Sequence, residues 1–132
     1  MGFNTDIISA TTISGGTFYG DGSNLTGVTV TPSYKVYTAL LTQTGTTAPA
    51  ATVFENTLGG AVTWEYYTEE APGSYKAVTS GLFTENKTVA VTSVDVTGFP
   101  LTIARLDSST VTVYGTADDT ITNTFIEIRV YN

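Results

Sequence analysis

The chain has 132 residues, enough for one ordinary core and too few for two, since domains cluster at about 100–150 residues. Only 13% of them are charged against about 25% in an average soluble domain, and the net charge of −7 leaves Lys35, Lys76, Lys87, Arg105 and Arg129 as the cations, which argues against nucleic acid as a partner because phosphate binding needs a basic stripe. With neither Cys nor His, disulfides, thiolate or imidazole metal sites, and Ser-His-Asp or Cys-His catalysis are all excluded.

Residues 1–32 read differently from the rest. Their apolar side chains, among them Ile8, Ile13, Phe18, Leu25 and Val28, are sparse and separated by Gly, Ser, Thr and Asn. One copy buries too little to offset the entropy of ordering itself. Ile8, Ile13 and Phe18 recur at steps of five, which suits an intertwined trimeric stalk giving one apolar residue per chain to each layer. A flexible terminal arm is the competing reading. The opening residues, Met1 to Ala10, lack the basic-then-apolar order of a secretory signal, and Asp6 stands where a myristoylation motif needs Ser or Thr, so neither that export route nor a lipid anchor is expected. No apolar run approaches the ~20 residues of a membrane span.

From Ser33 to Asn132 the pattern is short strands, in a chain with 28 Thr, 8 Tyr, 13 Gly and 4 Pro; β-branched and aromatic residues suit a pleated surface and Gly and Pro supply its turns. Tyr34 to Gln43 is the first strand, with Val36 and Leu40 on one face and Tyr37, Ala39 and Leu41 on the other, so it is central or interfacial. Val62, Trp64 and Tyr66 alternate with Thr63, Glu65 and Tyr67, one set facing a core. Ala71, Pro72 and Gly73 turn the chain and Tyr75 to Ser80 returns as a hairpin. The apolar phase slips from Val89 and Val91 to Val94 and Val96, which predicts a β-bulge near Thr92 or Ser93. Leu101 to Leu106 and Ser109 to Gly115 flank Asp107 and Ser108, a two-residue hairpin turn. In the last strand Ile126, Ile128 and Val130 share one face, and Phe125, Glu127, Arg129 and Tyr131 the other, with Glu127 and Arg129 near enough to interact. Seven or eight strands make an all-β head, a small antiparallel sandwich of jelly-roll or immunoglobulin-like size.

The residues Ile-Ser-Gly-Gly-Thr-Phe-Tyr-Gly-Asp-Gly-Ser-Asn-Leu-Thr-Gly-Val from Ile13 to Val28 resemble a segment that recurs in tail-fibre and other virion appendage proteins of marine and environmental bacteriophages. A second, more diffuse likeness covers Tyr34 through Leu58 and then Gly81 to Lys87, which are similar to a small β-domain at the ends of such phage proteins and in marine metagenomic chains. The resemblance implies a homotrimeric, fibre-like architecture, other virion proteins as neighbours, a virion location after assembly in the host bacterial cytoplasm, and no catalytic residue to carry over. The short segment travels between proteins by module exchange, so it identifies the company kept better than the job done.

Asp21-Gly22-Ser23-Asn24 faintly echoes a calcium loop but lacks its bidentate Glu, and a turn accounts for it. Asn24-Leu25-Thr26 and Asn86-Lys87-Thr88 match the glycosylation sequon, which without a secretory signal is incidental. Only carboxylate chemistry survives: Glu65, Glu69, Glu70, Asp118 and Asp119 could furnish a glycosidase pair, though solvated loop charge is the plainer account. The expectation is therefore no enzyme, no metal and no cofactor. For binding, Trp64 and Tyr66 belong with the core, which leaves Tyr67 as the surface ring suited to stack on a sugar. Thr116, Asp118 and Asp119, with Thr44 to Pro49, are loop positions where a receptor contact is tolerated. A carbohydrate-binding module for host surface glycan and a capsid decoration protein are the alternative functions.

Overall fold

The computed structural model describes residues 32–67, 73–93, 101–115 and 121–132. The chain divides into two units, Met1–Val30 and Thr31–Asn132, and all of the described residues belong to the second. The expected stalk residues Ile8, Ile13, Phe18, Leu25 and Val28, the turn residues Ala71 and Pro72, and Val94 and Val96 beyond the expected bulge lie outside the described residues.

Eight strands are described, β1 (Tyr34–Gln43), β2 (Ala50–Asn56), β3 (Thr63–Tyr66), β4 (Tyr75–Val78), β5 (Thr88–Thr92), β6 (Thr102–Arg105), β7 (Thr110–Tyr114) and β8 (Ile121–Tyr131), with no helix among the described residues. They form two four-stranded sheets, ordered β2-β1-β8-β5 and β3-β4-β7-β6, and every pairing is antiparallel. β1 and β8 are paired at the centre of the first sheet. Each therefore has a hydrogen-bonded neighbour on both sides.

The core lies between the sheets. Alternation along β1 turns Tyr37, Ala39 and Leu41 inward, and the register sets Tyr37 opposite Ile128 and Ala39 opposite Ile126 on β8. Trp64 from β3, Tyr75 and Ala77 from β4, and Val111 and Val113 from β7 come from the other sheet, and all are buried in the same cluster. Val62 lies just before β3 and packs with Tyr66 on the margin of the core. Small Ala39 and Ala77 leave room for the facing rings, as dense packing requires.

Three details depart from expectation. Ala50–Asn56 is a strand that alternation did not mark; all seven of its residues are exposed, and its register with β1 jumps from Glu55 to Val53, so Phe54 is an extra residue that breaks the period of two. The β6–β7 turn holds four residues, Leu106 to Ser109, instead of two, because the strands end at Arg105 and Thr110. Asp107 Oδ1 accepts the Ser109 N–H at 2.7 Å, a side-chain closure that tightens a longer turn. At the end of β5, Ser93 N–H donates to Phe125 O at 3.0 Å, but Phe125 N–H returns to the Ser93 side-chain Oγ at 3.0 Å. A second bulge sits in β8 at Asn123, whose φ of 51° is one that Asn tolerates better than most residues.

Two polar contacts bridge the sheets. Trp64 Nε1–H donates to the Tyr37 hydroxyl at 3.0 Å, and the Tyr75 hydroxyl donates to Gln43 Oε1 at 2.7 Å. Gln43, 3% exposed, passes its amide hydrogen to the Gly45 carbonyl. These buried polar groups are retained because each has its partner. Burial pushes the Tyr37 phenol above its ordinary value, an effect opposed in part by the Trp64 hydrogen bond. The folded chain therefore keeps a proton that the unfolded chain releases near pH ~10, so the stabilisation is complete below that pH and is lost as pH rises through the folded value. Urea midpoints measured from pH 7 to pH 11 are expected to fall at the alkaline end. Tyr37→Phe should remove part of that fall while costing about 1–3 kcal/mol at neutral pH, since the indole N–H loses its acceptor. Identical alkaline slopes in the two proteins would count against this account.

The chain passes closely by itself at Gly115, whose N–H donates to Gly73 O at 3.1 Å. A Cβ on Gly115 would lie 2.7 Å from that carbonyl oxygen, nearer than backbone tolerates. Gly115→Ala is expected to cost about 1–3 kcal/mol through forced displacement, read as a lower thermal midpoint; an unchanged midpoint would contradict the close approach.

Candidate functional site

Tyr67 follows β3 and continues its alternation outward, half-buried, with its N–H donating to Ser74 O at 2.9 Å. The hairpin register sets Glu65 opposite Lys76. Lys76 Nζ consequently sits 3.2 Å from Glu65 Oε2 and 5.3 Å from the centre of the Tyr67 ring. Exposed ion pairs of this kind contribute about 0–1 kcal/mol and the ring contact about 0.5–1 kcal/mol, so the cluster positions side chains more than it stabilises the fold. One face of the ring is occupied by a cation. Thr116, Asp118 and Asp119 lie outside the described residues, so Tyr67 is the expected binding residue whose surroundings are on view.

Three carboxylates among the described residues are engaged. Glu65 pairs with Lys76, and Glu127 Oε1 lies 2.6 Å from Arg129 Nη2, as their spacing on β8 suggested. The Ser109 N–H, with further help from Thr110 and Arg105, holds the Asp107 carboxyl below its ordinary range. Glu69, Glu70, Asp118 and Asp119 fall outside the described residues. Among the described residues no group of three or more His, Cys, Asp or Glu could hold a metal ion, and no helix is long and apolar enough to cross a membrane.

A depression opens at the end of the sandwich where the β2–β3 and β4–β5 connections meet the β6–β7 turn. It has a volume of about 880 Å³ and is lined by Gly59, Gly60, Thr63, Thr79, Ser80 and Ser109, among others. These present hydroxyls and backbone beside the apolar side chains of Ala61, Val78 and Leu82, with no titratable side chain in the lining. Such a surface can hydrogen-bond a neutral polar ligand but cannot move a proton at neutral pH. Thr63 and Tyr67 stand at opposite ends of β3, roughly 13 Å apart for four steps of strand. The hydroxyl-lined groove and the surface ring are therefore separate features. Of the two loop candidates drawn from the sequence, Thr116 to Asp119 lies outside the described residues and Thr44 to Pro49 lies at the far end of β1, so neither marks the groove; the paired glycines Gly59 and Gly60 and the Ser80-Gly81 step were the available turn signal.

Comparison of the chain with protein-family models, curated proteins and solved structures finds no match.

Proposed function

We propose that this chain is a structural or attachment module of a bacteriophage particle, a homotrimer that presents its β-sandwich as a distal head. Residues 1–32 join the three copies or dock them to the particle, and the head supplies the contact surface. Three copies on one axis convert weak contacts into avidity through effective concentration. The observation that carries the reading is a surface short of charge and rich in exposed apolar residues. Only 13% of the chain is charged, yet Val53, Phe54, Val89, Val91, Leu106 and Tyr131 are 39–62% exposed in a single copy. Obligate oligomers cover such surface between subunits. The segment Ile13 to Val28, with its likeness to virion appendage proteins, supplies the particle.

Antibody against the chain, applied to particles of the phage that carries its gene, is expected to label tail appendages. Labelling confined to the shell would favour a capsid decoration protein, and unlabelled intact particles would contradict a virion role. Recognition of host glycan is the second reading, favoured by the neutral, hydroxyl-lined groove. A glycan array probed with the wild type and with Tyr67→Ala tests whether the ring takes part.

A further inference from the structure

Among the described residues, all of the exposed large apolar side chains except Leu106 belong to one sheet, β2-β1-β8-β5, and four of them sit in its two edge strands. β2 presents Val53 at 49% and Phe54 at 62% exposure; β5 presents Val89 at 49% and Val91 at 50%. The strand order separates these patches by three interstrand steps, about 14 Å. Between them Arg129 is paired to Glu127, with its guanidinium 4.9 Å from the centre of the Tyr34 ring.

Charge differs between the two patches. Glu55 is the ionisable residue of β2, and Lys87 immediately precedes β5; neither is in an ion pair with another described residue. A twofold contact puts like against like, Glu55 near Glu55 or Lys87 near Lys87, and leaves the other apolar patch uncovered. A head-to-tail contact uses both: each subunit offers the Glu55 edge to the Lys87 edge of the next, and such contacts make a ring when the rotation between copies closes.

Resting on the homotrimer reading above, we propose that the sandwich heads associate head to tail, with the Val53, Phe54 and Glu55 edge of one copy against Lys87, Val89 and Val91 of its neighbour, so that a second copy of this chain is the occupant of both edges. The bulge at Phe54 serves this contact. It prevents a flat edge from adding strands indefinitely while projecting a large ring for the neighbour to bury.

The natural chain has no cysteine, so Phe54→Cys and Val91→Cys can each be introduced alone. Full-length chains carrying one or the other are coexpressed, treated with a short bismaleimide cross-linker, and run under denaturing conditions. A two-chain band is expected in the coexpressed sample and in neither single variant. Adding Glu55→Lys to the Phe54→Cys chain is expected to weaken the mixed band severalfold, because it sets like charge against Lys87. A wild-type trimer that gives no mixed cross-link, or whose mixed band is unchanged by Glu55→Lys, overturns the proposed interface and leaves the trimer reading standing. Cross-linking of Phe54→Cys with itself points to twofold pairing and overturns the ring. A wild-type monomer overturns both.

Discussion

Replacing Trp64 with alanine is expected to cost about 3–5 kcal/mol, the usual range for removing a buried aromatic side chain. Trp64 is 8% exposed and reaches across the sandwich to the Tyr37 hydroxyl. Truncation therefore opens a cavity at the meeting of the two sheets and also leaves a buried phenol without its donor. Against a total stability of about 5–15 kcal/mol, this is a large share. With a urea slope of about 1–1.5 kcal/mol per molar for a head of this size, the midpoint should move by about 2–5 M. Trp64→Phe keeps most of the ring and loses the N–H, so it should cost much less, about 1–2 kcal/mol. Equal losses in the two variants would mean that the hydrogen bond, and not the packing, dominates; a loss under about 1 kcal/mol in Trp64→Ala would contradict the core assignment.

Phe83→Ala should be as damaging, about 3–5 kcal/mol, although Phe83 is in a connection and not in a strand. Its ring is fully buried in the core cluster. Its backbone is fixed at both polar groups: the N–H donates to Ser108 O at 2.8 Å, and the carbonyl accepts Arg105 Nε–H at 2.8 Å. The residue thus closes one end of the sandwich and ties the β4–β5 connection to the β6–β7 turn. Its neighbour Leu82 is only half-buried against the same cluster, so Leu82→Ala should cost roughly half as much or less. Chemical denaturation of both variants checks the contrast, and equal costs would show that Phe83 is not the plug inferred from its burial.

How legible the molecule was depends on which residues repeat. Tyr37, Ala39 and Leu41 on β1, and Ile126, Ile128 and Val130 on β8, could each be grouped on one face because an uninterrupted period of two survives in strands central to their sheet, but with apolar residues on both faces the pattern did not say which face meets the core. Trp64 fell inward by the same phase, and that phase put Tyr67 outside. β2 was invisible because Phe54 is an extra residue and none of its neighbours is buried, so there is no alternation to detect. Phe83 was invisible as a core residue because a single aromatic between Leu82 and Thr84 has no period. Strand order and register depend on contacts between distant residues, which local pattern does not contain. The same limit hid Lys76 from Tyr67, since they meet only through hairpin register. The groove hydroxyls were hidden by abundance: in a chain with 28 Thr, no single hydroxyl stands out.

The account stands on identical copies sharing an axis, and the solution mass of the full chain measures that directly. Light scattering coupled to size-exclusion chromatography at micromolar concentration should return three times the 13.9 kDa chain mass. A single-chain mass across that range, from protein with the far-ultraviolet signature of β-structure, would contradict it.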